Sequence, residues 1–257
     1  MRVAAIYDIH GNLPALEAVL ADIDRIGVDI ILVGGDLAAG PMPCETLDLL
    51  MSLGNRVRLI RGNADRELVA HYDLPGEQPI RESDPELARA AWAAQQLTRV
   101  QRDFLAGLAE RAVIDVDDLG PVLFCHGSPR SDEEIITRVT PEARMREMLA
   151  GAREGIIVCG HTHVQFDRVV ADTRMVNAGS VGMPYEGSPG AYWALLGPTV
   201  ALRRTTYDVE HAASLIRSTG FPNADAFADT VLKPPTAEEA TAFFEQVAAE
   251  RIPEVRV

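Results

Sequence analysis

Residues 3–12 read Val3-Ala4-Ala5-Ile6-Tyr7-Asp8-Ile9-His10-Gly11-Asn12: an apolar run that stops at two side chains able to bind a metal, then turns toward a helix cap. The same arrangement returns four times. Ile30-Ile31-Leu32-Val33 runs into Gly34-Gly35-Asp36, and Val57-Arg58-Leu59-Ile60 into Arg61-Gly62-Asn63. Val122-Leu123-Phe124-Cys125 stops at His126, and Ile156-Ile157-Val158-Cys159 at Gly160-His161-Thr162-His163. Short apolar runs bounded by glycine or polar residues read as buried strands, and in open α/β sheets binding sites collect at the carboxyl ends of the strands. Singly, Asp8-x-His10 reads as a solvated strand end, Gly35-Asp36 as a turn, and His161 with His163 as a core histidine pair. Together they point to one metal site assembled from five strand ends.

Asn12 is placed to cap a helix over residues 13–26, with Leu13, Leu16, Leu20, Ile23 and Ile26 along one stripe. A second short helix at 45–53 precedes the third strand, so residues 1–60 alternate as a parallel sheet requires. Residues 66–110 break that rhythm with Ala-rich helical sequence, including Asp84-Pro85 as a cap with a first-turn proline and a Thr98 to Gln101 capping box. They read as a helical insertion beside the site. From Ala112 the pattern turns to β, with runs near 112–117, 121–125, 156–159, 167–170, 174–177, 191–196 and 199–206. Such runs predict a second, mostly antiparallel half packed on the first sheet. After Pro234-Pro235, Thr236 and Glu239 form a capping box ahead of a helix with Ala240, Phe243, Phe244, Val247 and Ala248 on one face, expected to pack on its own domain. The chain thus reads as a single domain, 1–257, with a helical insertion at about 66–110 and a C-terminal helical extension at about 208–257.

With 257 residues and 47% hydrophobic content, the chain can bury a full core. A formal charge of −14 argues against a sequence-independent hold on nucleic acid or anionic membrane, because both need Lys and Arg on phosphates. Neither partner is expected. An anionic substrate would need local positive charge, which bound divalent cations can supply. Three cysteines make no paired framework, so a reducing cytoplasm is the expected compartment. Cys125 and Cys159 read as small buried hydrophobes. The residues ahead of Asp8 leave no room for a cleavable signal, and no apolar run reaches the length of a membrane span.

Asp8, His10, Asp36, Asn63, His126, His161 and His163 offer oxygen and imidazole donors, a set suited to Mn, Fe, Ni or Zn rather than to a thiolate-selected metal. These are too many for one tetrahedral ion and about right for two divalent ions sharing a bridging carboxylate, with positions left for water. The order Asp-x-His, Gly-Asp, Gly-Asn-x-Asp, His and Gly-His-x-His resembles the calcineurin-like metallophosphoesterase superfamily. The resemblance runs from Asp8 to the Asn177-Ala178-Gly179-Ser180-Val181-Gly182 loop, which is similar to the Asn-x-Gly-Ser stretch of its small bacterial and archaeal phosphodiesterases. It implies a four-layer α/β/β/α sandwich of two mixed β-sheets flanked by helices. It also implies Asp8, His10 and His163 on one metal, Asn63, His126 and His161 on the other, and Asp36 as the bridge. The implied reaction is phosphoester hydrolysis by a metal-bound hydroxide, the ions clamping the phosphate for in-line attack.

One position departs from the superfamily motif, which reads Gly-Asn-His-Asp where this chain has Gly62-Asn63-Ala64-Asp65. The absent histidine is credited with protonating the leaving oxygen or steadying the phosphate. A general acid contributes on the order of a hundred- to ten-thousandfold in rate, so its loss favours good leaving groups, in diesters or phosphoanhydrides, over sugar monophosphates. Asp65 and His71 are the candidate replacement acids and Arg66 the candidate substrate contact, against plainer readings of a solvated charge for Arg66 and insertion packing for His71. The expected partner is a small phosphorylated substrate, a phosphodiester ahead of a phosphomonoester. Hydrolysis of a dinucleoside polyphosphate or nucleotide anhydride is the alternative, and a homo-oligomer is compatible with the chain. The retromer subunit built on this fold is an interaction scaffold with an impaired metal site. The full ligand set here counts against that reading, because unpaired buried charges are costly to keep without a metal.

Overall fold

The run after Arg2 forms β1 (Val3–Ile6), buried along its whole length because it lies inside a sheet covered on both faces. The structure, a computed structural model, describes residues 1–74 and 85–251. After β1 come α1 (Leu13–Ile26), β2 (Ile30–Val33), α2 (Pro43–Ser52), β3 (Val57–Leu59) and the helices α3 (Asn63–Tyr72), α4 (Pro85–Gln96) and α5 (Arg99–Ala106). The second half holds β4 (Arg111–Val116), β5 (Gly120–Cys125), α6 (Glu142–Met148), β6 (Ile156–Cys159), β7 (Phe166–Val170) and β8 (Thr173–Asn177). Then follow β9 (Ala191–Leu196), β10 (Val200–Thr205), α7 (Val209–Ser218), α8 (Ala224–Leu232) and α9 (Ala237–Arg251).

Two five-stranded sheets result, in the orders β10-β9-β1-β2-β3 and β4-β5-β6-β8-β7. In the first, β1, β2 and β3 are parallel, β9 pairs antiparallel with β1, and β10 pairs antiparallel with β9. In the second, β5, β6 and β8 are parallel, with β4 and β7 antiparallel at the edges. This corrects the expected second, mostly antiparallel half: its centre is parallel, and the runs at 191–196 and 199–206 complete the first sheet instead. Periodicity marks a strand but not its neighbour. The open side of β1 is an unpaired edge that needs covering, and β9 covers it.

Strand alternation sorts the residues into layers. Val3, Ala5, Tyr7 and Leu32 meet Val122, Phe124, Val158 and Val176 in a core between the sheets. Ala4, Ile6, Ile31 and Val33 point the other way, onto Leu16, Val19, Ile23, Leu47 and Leu50 of α1 and α2. On the far side Leu123, Ile157 and Met175 pack with Met145 and Met148 of α6. The product is an α/β/β/α sandwich of two mixed sheets. A smaller core of Ala213, Ile216, Phe221, Phe227 and Val231 joins α7 and α8.

Helix starts follow their expected chemistry. Asn12 accepts from the Ala15 amide at 3.3 Å, and α1 has the expected bounds, though Ala15 and Val19 join the buried stripe while Leu13 and Ile26 are only partly covered. The Thr98 to Gln101 and Thr236 to Glu239 capping boxes are formed; Asp84 lies outside the described residues. The expected apolar face of α9 packs only in part, since Ala240 and Ala248 are buried while Phe243 is 61% exposed. Polar contacts hold that helix instead, with Glu245 accepting from Thr140 and Arg144. Among the described residues no helix is long and apolar enough to cross a membrane.

Candidate metal centre

Asp8 and His10 follow β1, Asp36 follows β2, and Asn63 opens α3 just past β3; His126 follows β5, and His161 and His163 follow β6. The parallel strands of both sheets therefore deliver these side chains to one shared carboxyl edge. Donor atoms of Asp8, His10 and His163 lie within 4.8 Å of one another, as do those of Asp36, His126 and His161. Asp36 Oδ2 is 3.3 Å from His126 Nε2 and 3.7 Å from His10 Nε2, so it stands between the two groups. Asp8 Oδ1 lies 3.4 Å from His163 Nε2 and 3.8 Å from His126 Nε2. Asn63 lines the same cavity as His10 and Asp36.

Asp8 Oδ1, Asn63 Oδ1 and His126 Nε2 are all buried without a hydrogen-bond partner. Each such atom costs roughly 1–3 kcal/mol; Asp8 Oδ1 and His126 Nε2 lie 3.8 Å apart, and unmatched ligand atoms so close fit a cation binding there. The imidazoles are set up for it. With the proton on Nδ1, His10, His126 and His163 donate to the carbonyls of Ala39, Gly34 and Met183 at 3.3, 2.9 and 2.7 Å. Their Nε2 lone pairs then face the centre, as metal-binding histidines require.

The backbone is bent to serve this convergence. Asp8, His10, Asp36, His161 and His163 have φ between 47° and 67°, five of the eight non-glycine residues with positive φ among those described. Such conformations cost of order 1–3 kcal/mol each and persist where surrounding structure enforces them. Glycines permit the close approach: a Cβ on Gly62 would run into Asp36 Oδ1, and one on Gly160 into Asp8 Oδ2.

Asp65 is buried and accepts from the amides of Asp36, Leu37 and Gly62 at 2.8, 2.9 and 2.9 Å. With both oxygens so engaged, it ties the Asp36 loop to the start of α3. Burial and the Asp36 charge push its carboxyl up to about 7, while the amides of Gly62 and Leu37 pull it down. Ser180 Oγ donates to the Asp8 carbonyl at 2.8 Å, and Asn177 Nδ2 to the Gly160 carbonyl at 2.6 Å. The Asn177 to Gly182 loop thus braces two of the ligand turns. Sequence reading missed this bracing, although the final Asp of Gly-Asn-x-Asp was its visible signal.

The remaining candidates lie elsewhere. Arg66 pairs with Asp132 and Glu133 and lines a neighbouring cavity with His126. His71 sits near the far end of α3, about 12 Å along the axis from Asn63 at 1.5 Å per residue. The Ala64 amide donates to Asp36 Oδ1 at 2.9 Å, and the residue lines the cavity with His10 and Asn63.

Electrostatics divide the imidazoles. Burial, then the His126 charge, holds His161 down to about 4, and burial with His163 lowers His10. Burial opposes charge on His126 too, but Asp36 outweighs it and lifts this group to about 10. The Asp36 and Asp8 carboxyls lie low despite burial because His126 and His163 respectively stabilise their anions.

The profile of the calcineurin-like phosphoesterase superfamily domain matches residues 1–197. This chain belongs to that superfamily. Such enzymes generally work with divalent metals, and the chain is accordingly a phosphoric ester hydrolase. A metallophosphoesterase structure from Sphaerobacter thermophilus is 27% identical with a TM-score of 0.70, covering 90% of this chain and 98% of that one. The phosphodiesterase YfcE of Escherichia coli is 25% identical over 207 residues, 76% of this chain and 87% of the relative. A symmetrical bis(5'-nucleosyl)-tetraphosphatase of Baumannia cicadellinicola is 32% identical over 129 residues, 49% of this chain and 42% of that enzyme.

Proposed function

We propose that this phosphoesterase is dinuclear and hydrolyses phosphodiesters with good leaving groups. Asp8, His10 and His163 would hold one divalent ion, Asn63, His126 and His161 the other, with Asp36 shared between them. The supporting observation is the position of Asp36 Oδ2 between His10 and His126, each within 3.7 Å. Mn, Fe, Ni and Zn all suit this donor set. Two such ions, when bound, lower the pKa of water and offset charge on the phosphoryl oxygens.

The chain's own groups prepare that chemistry. Asp8 and Asp36 bring negative charge into a buried site, and His10 and His161 stay neutral and free to coordinate. His126, lifted to about 10 by Asp36, would have to lose its Nε2 proton to coordinate. Asn63 donates to Glu67, which leaves its Oδ1 for the centre. None of these three positions takes over proton donation: Ala64 has no donor to offer, Asp65 is engaged with main-chain amides, and His71 is a long way down α3. The departing oxygen must leave as a stable anion, which favours phenolates and phosphates over alkoxides.

The name of YfcE supports the diester reading. The tetraphosphatase match favours a second, cleavage of a symmetrical dinucleoside tetraphosphate, whose leaving group is also a stabilised anion. Chelated protein reloaded with Mn²⁺ should be offered an aryl phosphodiester, an aryl phosphomonoester and a dinucleoside tetraphosphate. The diester should show the highest kcat/KM, and chelation should abolish it. Preference for the tetraphosphate would select the second reading. Turnover of none of the three, or of all three without metal, would end both.

A further inference from the structure

A cavity of about 170 Å³ opens beside the centre, lined by His10, Asp36, Asn63, Ala64 and Glu67 among others. Arg89 and Phe221 also line it, and neither comes from the sandwich: α4 of the 66–110 segment carries Arg89, and Phe221 lies between α7 and α8. Arg89 is the only arginine or lysine among the described residues lining this cavity. Its Cζ stands 6.0 Å from the Phe221 ring centroid, within cation–π range. Phe221 is fixed in turn by edge contacts with Trp92 at 5.5 Å and Phe227 at 5.8 Å. Arg89 Nε is buried and has no hydrogen-bond partner.

A guanidinium held on an aromatic face, with a buried Nε that no described residue matches, shares this cavity with the carboxylates of Asp36 and Glu67 and the His10 imidazole and can take an acceptor that enters it. An anionic acceptor makes the stronger, charge-assisted pair. A phosphoryl group fits, since Nε and a terminal nitrogen of one guanidinium can take two of its oxygens. Ala64 contributes only a methyl group to the lining, which leaves space there.

We infer that Arg89 is a substrate-contacting residue that donates to the phosphoryl oxygens within the cavity it shares with the candidate metal ligands His10, Asp36 and Asn63. The inference rests on the proposed reading of the centre as the phosphoryl site. The segment inserted after β3 thereby gains a role at that site, since α4 completes the substrate pocket from outside the sandwich. Arg89 supplies positive charge where the chain as a whole is strongly negative.

The test is a calorimetric titration of inorganic phosphate into the Mn²⁺-loaded protein, alongside aryl phosphodiester kinetics, for the parent, Arg89→Met and Arg89→Lys. Metal content and melting temperature are measured on each. Arg89→Met keeps the apolar stem and should retain metal and fold while weakening phosphate roughly ten- to hundredfold, the worth of one charge-assisted pair. The same loss should appear in kcat/KM, and Arg89→Lys should recover part of both. Phosphate bound equally well by parent and Arg89→Met, with metal content unchanged, would overturn the inference. Should Arg89→Met fail to fold, Arg89→Lys decides, because a point charge cannot make the paired contact and must still bind phosphate more weakly than the parent. If the parent binds phosphate yet turns over no diester, the diester reading fails while the titration still judges Arg89.

Discussion

Three main-chain amides, those of Asp36, Leu37 and Gly62, end on the buried carboxylate of Asp65. Replacing it by alanine strands three buried donors at about 1–3 kcal/mol each. Asp65→Ala should therefore lose on the order of 3 kcal/mol or more of stability and also loosen Asp36. Denaturant unfolding and metal stoichiometry read the two effects, and unchanged values for both would deny the tie. Asp65→Asn should fall between, since one oxygen becomes a donor facing amides. At the neighbouring position, Ala64 predicts a rate limited by leaving-group basicity. In single turnover with Mn²⁺, the logarithm of the chemical-step rate should fall steeply across a series of aryl and alkyl diesters as leaving-group pKa rises. Ala64→His should flatten that slope by helping the poor leaving groups. A slope near zero in the parent would mean that some other side chain delivers the proton.

At the scale of elements, α9 shows how polar contacts seat a helix whose apolar face is half exposed. Glu245 accepts from Thr140 at 2.7 Å and Arg144 at 2.7 Å, and Thr137 adds a third donor. Burial alone would raise this carboxyl, but the Thr137, Thr140 and Arg144 hydrogen bonds outweigh it, so it lies below its ordinary value of 4.5. The sign follows from linkage: the anion is favoured in the folded state, so its contribution is present above about pH 4.5 and is lost as pH falls through the lowered folded value. Amide protection of α9, corrected for intrinsic exchange rates, should drop between pH 6 and pH 3 relative to that of α1. Glu245→Gln should show low protection at every pH; if it matches the parent near pH 6, Glu245 does not seat the helix. The capping box at Thr236 was legible because a cap is a local hydrogen-bond pattern. The buried face was not, because it depends on which surface receives the helix.

For the whole molecule, metal binding at the proposed centre would couple folding to the ions. An ion that binds only the folded state adds about 2.7 kcal/mol at a hundredfold excess over its dissociation constant, so two ions add about 5 kcal/mol. At roughly 2–4 °C per kcal/mol for a chain of this size, melting in Mn²⁺ should exceed melting in chelator by about 10–20 °C. Equal melting temperatures would mean that no ion binds with useful affinity. His161→Ala and His163→Ala should each bring bound metal toward one ion per chain by elemental analysis. Two ions retained in both variants would remove these histidines from coordination.

The strands, their carboxyl ends and the candidate ligands could all be read from the sequence, because an apolar run, a following glycine and a polar terminus are local properties. So were α1, its Asn12 cap and the missing side chain at Ala64. Only the tertiary structure decided that β9 pairs with β1, that Asp65 is a brace, and that Arg66 is held by Asp132 and Glu133. It also decided the meeting of Asp36 with His126, and of Arg89 with the cavity of His10. These relations join residues far apart in the chain. They are set by which strand edge remains open and how two sheets close face to face, and no short stretch of sequence carries that information.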